Sequence, residues 1–131
     1  MRRKEKQMLE GGVRHFFHRL RLRTIWSSEG IRAAWATEHS FRTWVWAQGV
    51  SILLSLVLPF GATERALLWS LGFLVIAAEL MNTAIEATVD RIGTETHPLA
   101  KIAKDAGSAG VAVAGVAAGV AWGVLLVGLA F

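Results

Sequence analysis

The chain has 131 residues, enough for one domain, and is 53% hydrophobic with two prolines and no cysteine. The missing thiols exclude disulfides, cysteine nucleophiles and cysteine-ligated metals, without naming a compartment. The net charge of +4 is unevenly placed. Arg2, Arg3, Lys4, Lys6, Arg14, Arg19, Arg21, Arg23, Arg32 and Arg42 face only Glu5, Glu10, Glu29 and Glu38 in the first third, while the remainder is net acidic. A basic start ahead of apolar runs fits anionic lipid headgroups and not nucleic acid.

In chain order, residues 1–12 are charged and contain Gly11-Gly12, which predicts a mobile extension set off from residue 13 onward. No apolar core succeeds this cluster, so no signal peptide is expected. Residues 13–36 predict an amphipathic surface helix, with Phe16, Leu20 and Ile31 sharing apolar surface and Arg14, Arg21 and Arg32 toward headgroups. A solvated helix on a soluble domain is the plainer alternative. His15 and His18 show no metal-site partner pattern.

Three transmembrane helices are predicted next. The first covers 41–58, stopped by Pro59 and Gly61, with Trp44 and Trp46 as an interfacial belt. The second covers 63–89, with Thr63 as N-cap ahead of Glu64 and Arg65. The third covers 101–131, and its stretch from Ala106 to Phe131 is uncharged and long enough to cross a bilayer. Gly115, Gly119 and Gly123 recur every four residues there, spacing that lets helices approach closely. The fold class is therefore all-α and membrane-embedded, and so few spans make an oligomer a natural way to enclose a polar site. Arg91, Lys101 and Lys104 between the second and third spans, together with the basic start, put the N-terminus and that loop in the cytoplasm and the C-terminus outside.

The second span enters uncharged from Ala66 to Ala78 and then meets Glu79, Asn82, Glu86 and Asp90, at spacings of three, four and four. On a helix these form one polar stripe. Carboxylates at the edge of such a run are costly and mark a functional site. The stripe offers oxygen ligands for a hard cation and a proton acceptor, a combination suited to phosphoryl transfer. Glu79 lies two turns, about 10 Å, deeper than Glu86. That depth sets Glu79 further into the apolar run and Glu86 nearer the water on the cytoplasmic side. No Walker-type phosphate loop and no Gly-x-Ser-x-Gly elbow is present. Plainer readings stand beside these: Glu38, Glu86 and Asp90 as helix-end charges, Asn82 as an interhelical hydrogen-bonder, Lys104 as a snorkelling anchor, Trp26 and Trp35 as interfacial anchors.

Glu79 to Asp90 reads Glu-x-x-Asn-Thr-Ala-x-Glu-x-x-Val-Asp. With the blocks Gly30 to Glu38, Phe41-Arg42 and Lys104 to Ser108, it resembles the prokaryotic integral-membrane diacylglycerol kinase family over about residues 13–131. The resemblance implies a surface helix, three transmembrane helices and a homotrimer in the bacterial cytoplasmic membrane. It implies transfer of the ATP γ-phosphate to 1,2-diacylglycerol with Mg²⁺. It also implies residue roles: Glu79 the general base, Asn82 its orienter, and Glu38 and Glu86 the Mg²⁺ ligands. Lys104 would neutralise phosphate charge, with Asp105 holding it or touching nucleotide. Glu95, Thr96 and His97 would contact adenosine, and Arg19 and Trp26 ATP. Arg32, Ala33, Ala34, Trp35 and Ser108 would lie near the lipid. The loop from His97 to Lys104 also looks like the related undecaprenol kinase branch, which keeps that lipid open as acceptor. A non-enzymatic oligomeric channel or scaffold is the reading from another class.

Overall fold

The computed structural model describes residues 2–93 and 95–130, with side chains from Arg14 onward. The described chain is helical, in the order α1 (Arg2–Thr37), α2 (His39–Val57), α3 (Ala62–Ile92) and α4 (Pro98–Ala130). It forms two compact units, Met1–Ala36 and Thr37–Phe131.

The first unit is helix α1 almost alone. Gly11-Gly12 does not break it, contrary to the sequence expectation. A helix-interior glycine costs about 1 kcal/mol relative to alanine, a penalty that the long flanking helix absorbs. Phe16, Leu20 and Ile31 are all exposed, as are Phe17 and Trp26. Phe16 and Phe17 meet edge to face, with ring centroids 5.7 Å apart.

The second unit is a three-helix bundle in which α3 packs against both α2 and α4. Pro59 ends α2 by forcing Leu58 into an extended conformation (φ −74°, ψ 152°), and the Leu58 N–H closes the last turn on the Leu54 carbonyl at 3.0 Å. The four-residue connection makes α3 antiparallel to α2. Gly61, and not Thr63, is the N-cap of α3, so this expectation is corrected. Glu64 in the first turn and Arg91 in the last complement the helix dipole. Helix α4 starts at Pro98 and not at 101. Proline suits the first helical position, and the His97 Nδ1 accepts the Leu99 N–H at 3.2 Å as a side-chain cap. Lys101, Lys104 and Asp105 lie near the start of this helix, inside the predicted span.

Phe41, Leu68, Val75 and Val111 form the buried apolar core of the bundle, with Phe60 packed edge-on against Trp122 at 5.9 Å. Gly115 lets the Trp44 ring come close: a Cβ there would sit 3.0 Å from it. Gly119 and Gly123 have open space where a Cβ would go, so only one member of the predicted glycine stripe makes a close packing contact here. Among the described residues, α3 and α4 are long and apolar enough to cross a membrane. Helix α2 is about 28 Å long at 1.5 Å per residue, but it carries His39, Arg42 and Gln48 and is not among these two.

Candidate functional site

The antiparallel bundle brings the start of α2, the end of α3 and the start of α4 to one end, and the acidic stripe lies there. Glu79 is 3% exposed, the one buried charged side chain among the described residues. Its Oε1 accepts a hydrogen bond from the Ser40 hydroxyl, 39 residues earlier on α2. That contact ties the first turn of α2 to α3, and Glu38 lies two residues before Ser40. Glu38 is the N-cap of α2 but makes no side-chain cap; its Oε1 accepts from the Thr37 hydroxyl at 2.9 Å.

One turn beyond Glu79, the Asn82 Nδ2 donates to Glu86 Oε1 at 2.9 Å. The Asn82 Oδ1 is buried and has no hydrogen-bond partner. Such an atom costs about 1–3 kcal/mol unless a ligand completes it. Gly107 on α4 makes room for it, since a Cβ at Gly107 would lie 2.4 Å from that oxygen. Within the predicted stripe Asn82 is therefore joined to Glu86, while Glu79 is held from α2. Asp90 leaves the stripe to cross to α4, where it accepts from Lys104 Nζ at 2.6 Å.

This last pair corrects an expectation. Asp105 does not hold Lys104; it pairs with Lys101, one turn back on the same helix. Neighbours on a helix point about 100° apart, whereas residues four apart share a face. Around these groups a cleft of about 460 Å³ opens between the helix ends, lined by Asp90, Glu95, Thr96, His97, Lys104 and Asp105 among others. The cleft gathers the whole set expected to contact nucleotide from the α3–α4 connection. Within it His97 has Nδ1 committed to capping.

The remaining predicted residues belong to α1 and to α4. Arg19 and Trp26 are exposed on α1, Arg19 in a shallow groove with His15, Phe16, Leu20 and Arg23. In the block from Arg32 to Trp35, also on α1, Ala34 is buried while Arg32, Ala33 and Trp35 are exposed. Ser108 is exposed one turn past Lys104. Sequence reasoning missed Ser40, Gly107 and the Asp90–Lys104 pair. A glycine inside the Lys104 to Ser108 block was the available signal for Gly107, while the other two rest on contacts between helices.

Among the described residues no three His, Cys, Asp or Glu side chains cluster as a ready metal cage. The donors at the site, Glu86 and the orphaned Asn82 Oδ1, are hard oxygens. They suit a cation such as Mg²⁺, which keeps waters and phosphate oxygens and takes only one or two carboxylates from a protein.

The profile of the prokaryotic diacylglycerol kinase family matches residues 25–126. Diacylglycerol kinase of Escherichia coli is 46% identical over 105 residues, covering 77% of this chain and 83% of its own. That of Pseudomonas aeruginosa is 43% identical over 105 residues, covering 80% and 85%. A Helicobacter pylori diacylglycerol kinase is 38% identical over 119 residues, covering 88% and 90%. The profile match runs through α2, α3 and nearly all of α4, including every site residue in the bundle, and the chain belongs to the prokaryotic diacylglycerol kinase family.

Proposed function

We propose that this protein is a membrane lipid kinase that moves the γ-phosphate of ATP to the hydroxyl of 1,2-diacylglycerol, giving phosphatidic acid. The observation that carries the reading is a buried carboxylate, Glu79, one turn from an unsatisfied buried oxygen and succeeded along α3 by the open cleft at the helix ends. Phosphoryl transfer asks little covalent chemistry of the protein; it needs positioning and neutralised charge. Glu79 accepts the proton of the lipid hydroxyl as that oxygen attacks phosphorus. Lys104, released from or shared with Asp90, balances phosphate charge, and Glu95, Thr96, His97 and Asp105 line the space for the nucleoside. Glu38 and Glu86, with Asn82 Oδ1, would hold Mg²⁺, which when bound draws charge from the phosphate oxygens.

The assignment extends to the membrane. Helix α2 joins α3 and α4 as a third span, because its polar residues cluster at the site end or face the bundle, as buried Gln48 does. The N-terminus lies in the cytoplasm of a bacterial inner membrane and α1 rests on anionic headgroups. Three copies assemble, which covers the large apolar side chains that α2, α3 and α4 leave exposed, such as Leu53, Phe73 and Val113.

The test is lipid phosphorylation by purified protein in mixed micelles with labelled ATP. Diacylglycerol is phosphorylated in preference to undecaprenol, and chelation of Mg²⁺ abolishes product. A preference for the polyprenol would transfer the same chemistry to the other lipid; ion conductance without ATP consumption would end the kinase reading.

A further inference from the structure

The hydroxyls of the bundle are mostly spent locally. Thr43 donates to the His39 carbonyl, Ser55 to Ile52, Thr83 to Glu79 and Thr88 to Ala84, each three or four residues back on its own helix. Ser40 does otherwise. It stands in the first turn of α2 and sends its hydroxyl across the bundle to the Glu79 carboxylate. It caps nothing, since the N-cap of α2 is Glu38. The Ser40 residue is exposed while Glu79 is buried, so the hydroxyl links the outer side of α2 to the buried acid.

We propose that Ser40 is a positioning residue for the phosphoryl-transfer step. Its hydroxyl holds Oε1 of Glu79, fixes the carboxylate plane and leaves Oε2 to take the proton of the acceptor alcohol. The proposal rests on the reading of Glu79 as the base. A carboxylate on a flexible side chain loses catalytic efficiency when it samples orientations that do not face the reacting hydroxyl, so a donor that removes this freedom acts on turnover and not on substrate binding.

The experiment measures kcat and KM for ATP and lipid in the wild-type chain and in Ser40→Ala, Ser40→Thr, Glu79→Gln and the Ser40→Ala/Glu79→Gln double variant. Alanine is a good helix former and the position is exposed, so the substitution removes the hydroxyl and little else. Ser40→Ala lowers kcat by about tenfold, the worth of one charge-assisted hydrogen bond, with both KM values within twofold. Ser40→Thr, which keeps the hydroxyl, restores most of the turnover. In the Glu79→Gln background Ser40→Ala costs nothing further. Unchanged kcat in Ser40→Ala, a loss carried by KM, or failure of threonine to rescue overturns the positioning role while leaving Glu79 as base. Full activity of Glu79→Gln overturns the base assignment, and the role of Ser40 with it.

Discussion

At the end of the bundle that holds Ser55 and Trp69, the interior polar groups pair within the protein. At the opposite end, which holds Glu79 and Asn82, one buried acceptor is left open. In the first region Ser55, completely buried, accepts the Trp69 indole N–H at 2.9 Å and gives its own proton to the Ile52 carbonyl. Arg65 Nε reaches the Ser55 carbonyl at 2.9 Å, Gln48 donates to the Trp69 carbonyl at 3.2 Å, and the Trp122 indole donates to Ser51 at 3.0 Å. Where no water competes, such closure joins helices that apolar contact alone cannot hold against lipid. In the second region Asn82 spends its N–H on Glu86 but its oxygen has no partner. The contrast separates polarity that holds helices together from polarity kept for a ligand. The bundle tolerates the second only beside the cleft.

Substitutions should separate the two regions. Asn82→Ala removes the orphaned oxygen and the donor that orients Glu86. Loss of such an orienting group lowers metal affinity by about 10- to 100-fold, read as the Mg²⁺ concentration needed for half-maximal lipid phosphorylation. The same variant should unfold no earlier than wild type, because a buried unsatisfied atom leaves with the side chain. A lowered unfolding midpoint with unchanged Mg²⁺ dependence would mean that Asn82 belongs with Ser55 as structural glue.

Ser55→Ala is the opposite case and smaller in effect. It creates almost no cavity, but leaves the Trp69 indole without its acceptor. Interhelical hydrogen bonds in membranes are worth about 0.6–1.7 kcal/mol, and the denaturation midpoint should fall accordingly. Turnover per assembled protein should stay within twofold, since Ser55 lies far along α2 from Ser40. A kcat loss at full assembly would show the two ends to be coupled.

The same division decides what is legible in sequence. The uncharged runs of α3 and α4 announce long apolar helices, and the three-four spacing of Glu79, Asn82 and Glu86 places them on one face, because helical periodicity is local. Only the family resemblance singles out residues 95–97, and these residues line the cleft. Contacts between helices are not legible. Nothing in the sequence selects Ser40 from the other hydroxyls, because its partner lies 39 residues away. Helix α4 begins three residues ahead of the expected 101, because Pro98 suits the first helical position and His97 caps it. The pairing of Asp105 with Lys104 rests on the family resemblance alone, and the partner that Lys104 takes, Asp90, lies 14 residues earlier on another helix.

The two lysines give the smallest predicted effect and the sharpest test of this geometry. Lys101 and Asp105 are paired within one helix and well exposed, at 77% and 62% of their side-chain surface. Such pairs are worth about 0.3–0.5 kcal/mol at most, so Lys101→Gln should leave the unfolding midpoint nearly unchanged. Lys104 is half as exposed, at 37%, and joins two helices through Asp90 at the cleft wall. Lys104→Gln should therefore raise the KM for ATP by about tenfold, the loss of one charged contact to phosphate. If Lys101→Gln raised that KM as much, the phosphate would lie along the Lys101 side of α4. The Asp90–Lys104 bridge would then be a helix tie and not a reservoir of charge for the nucleotide.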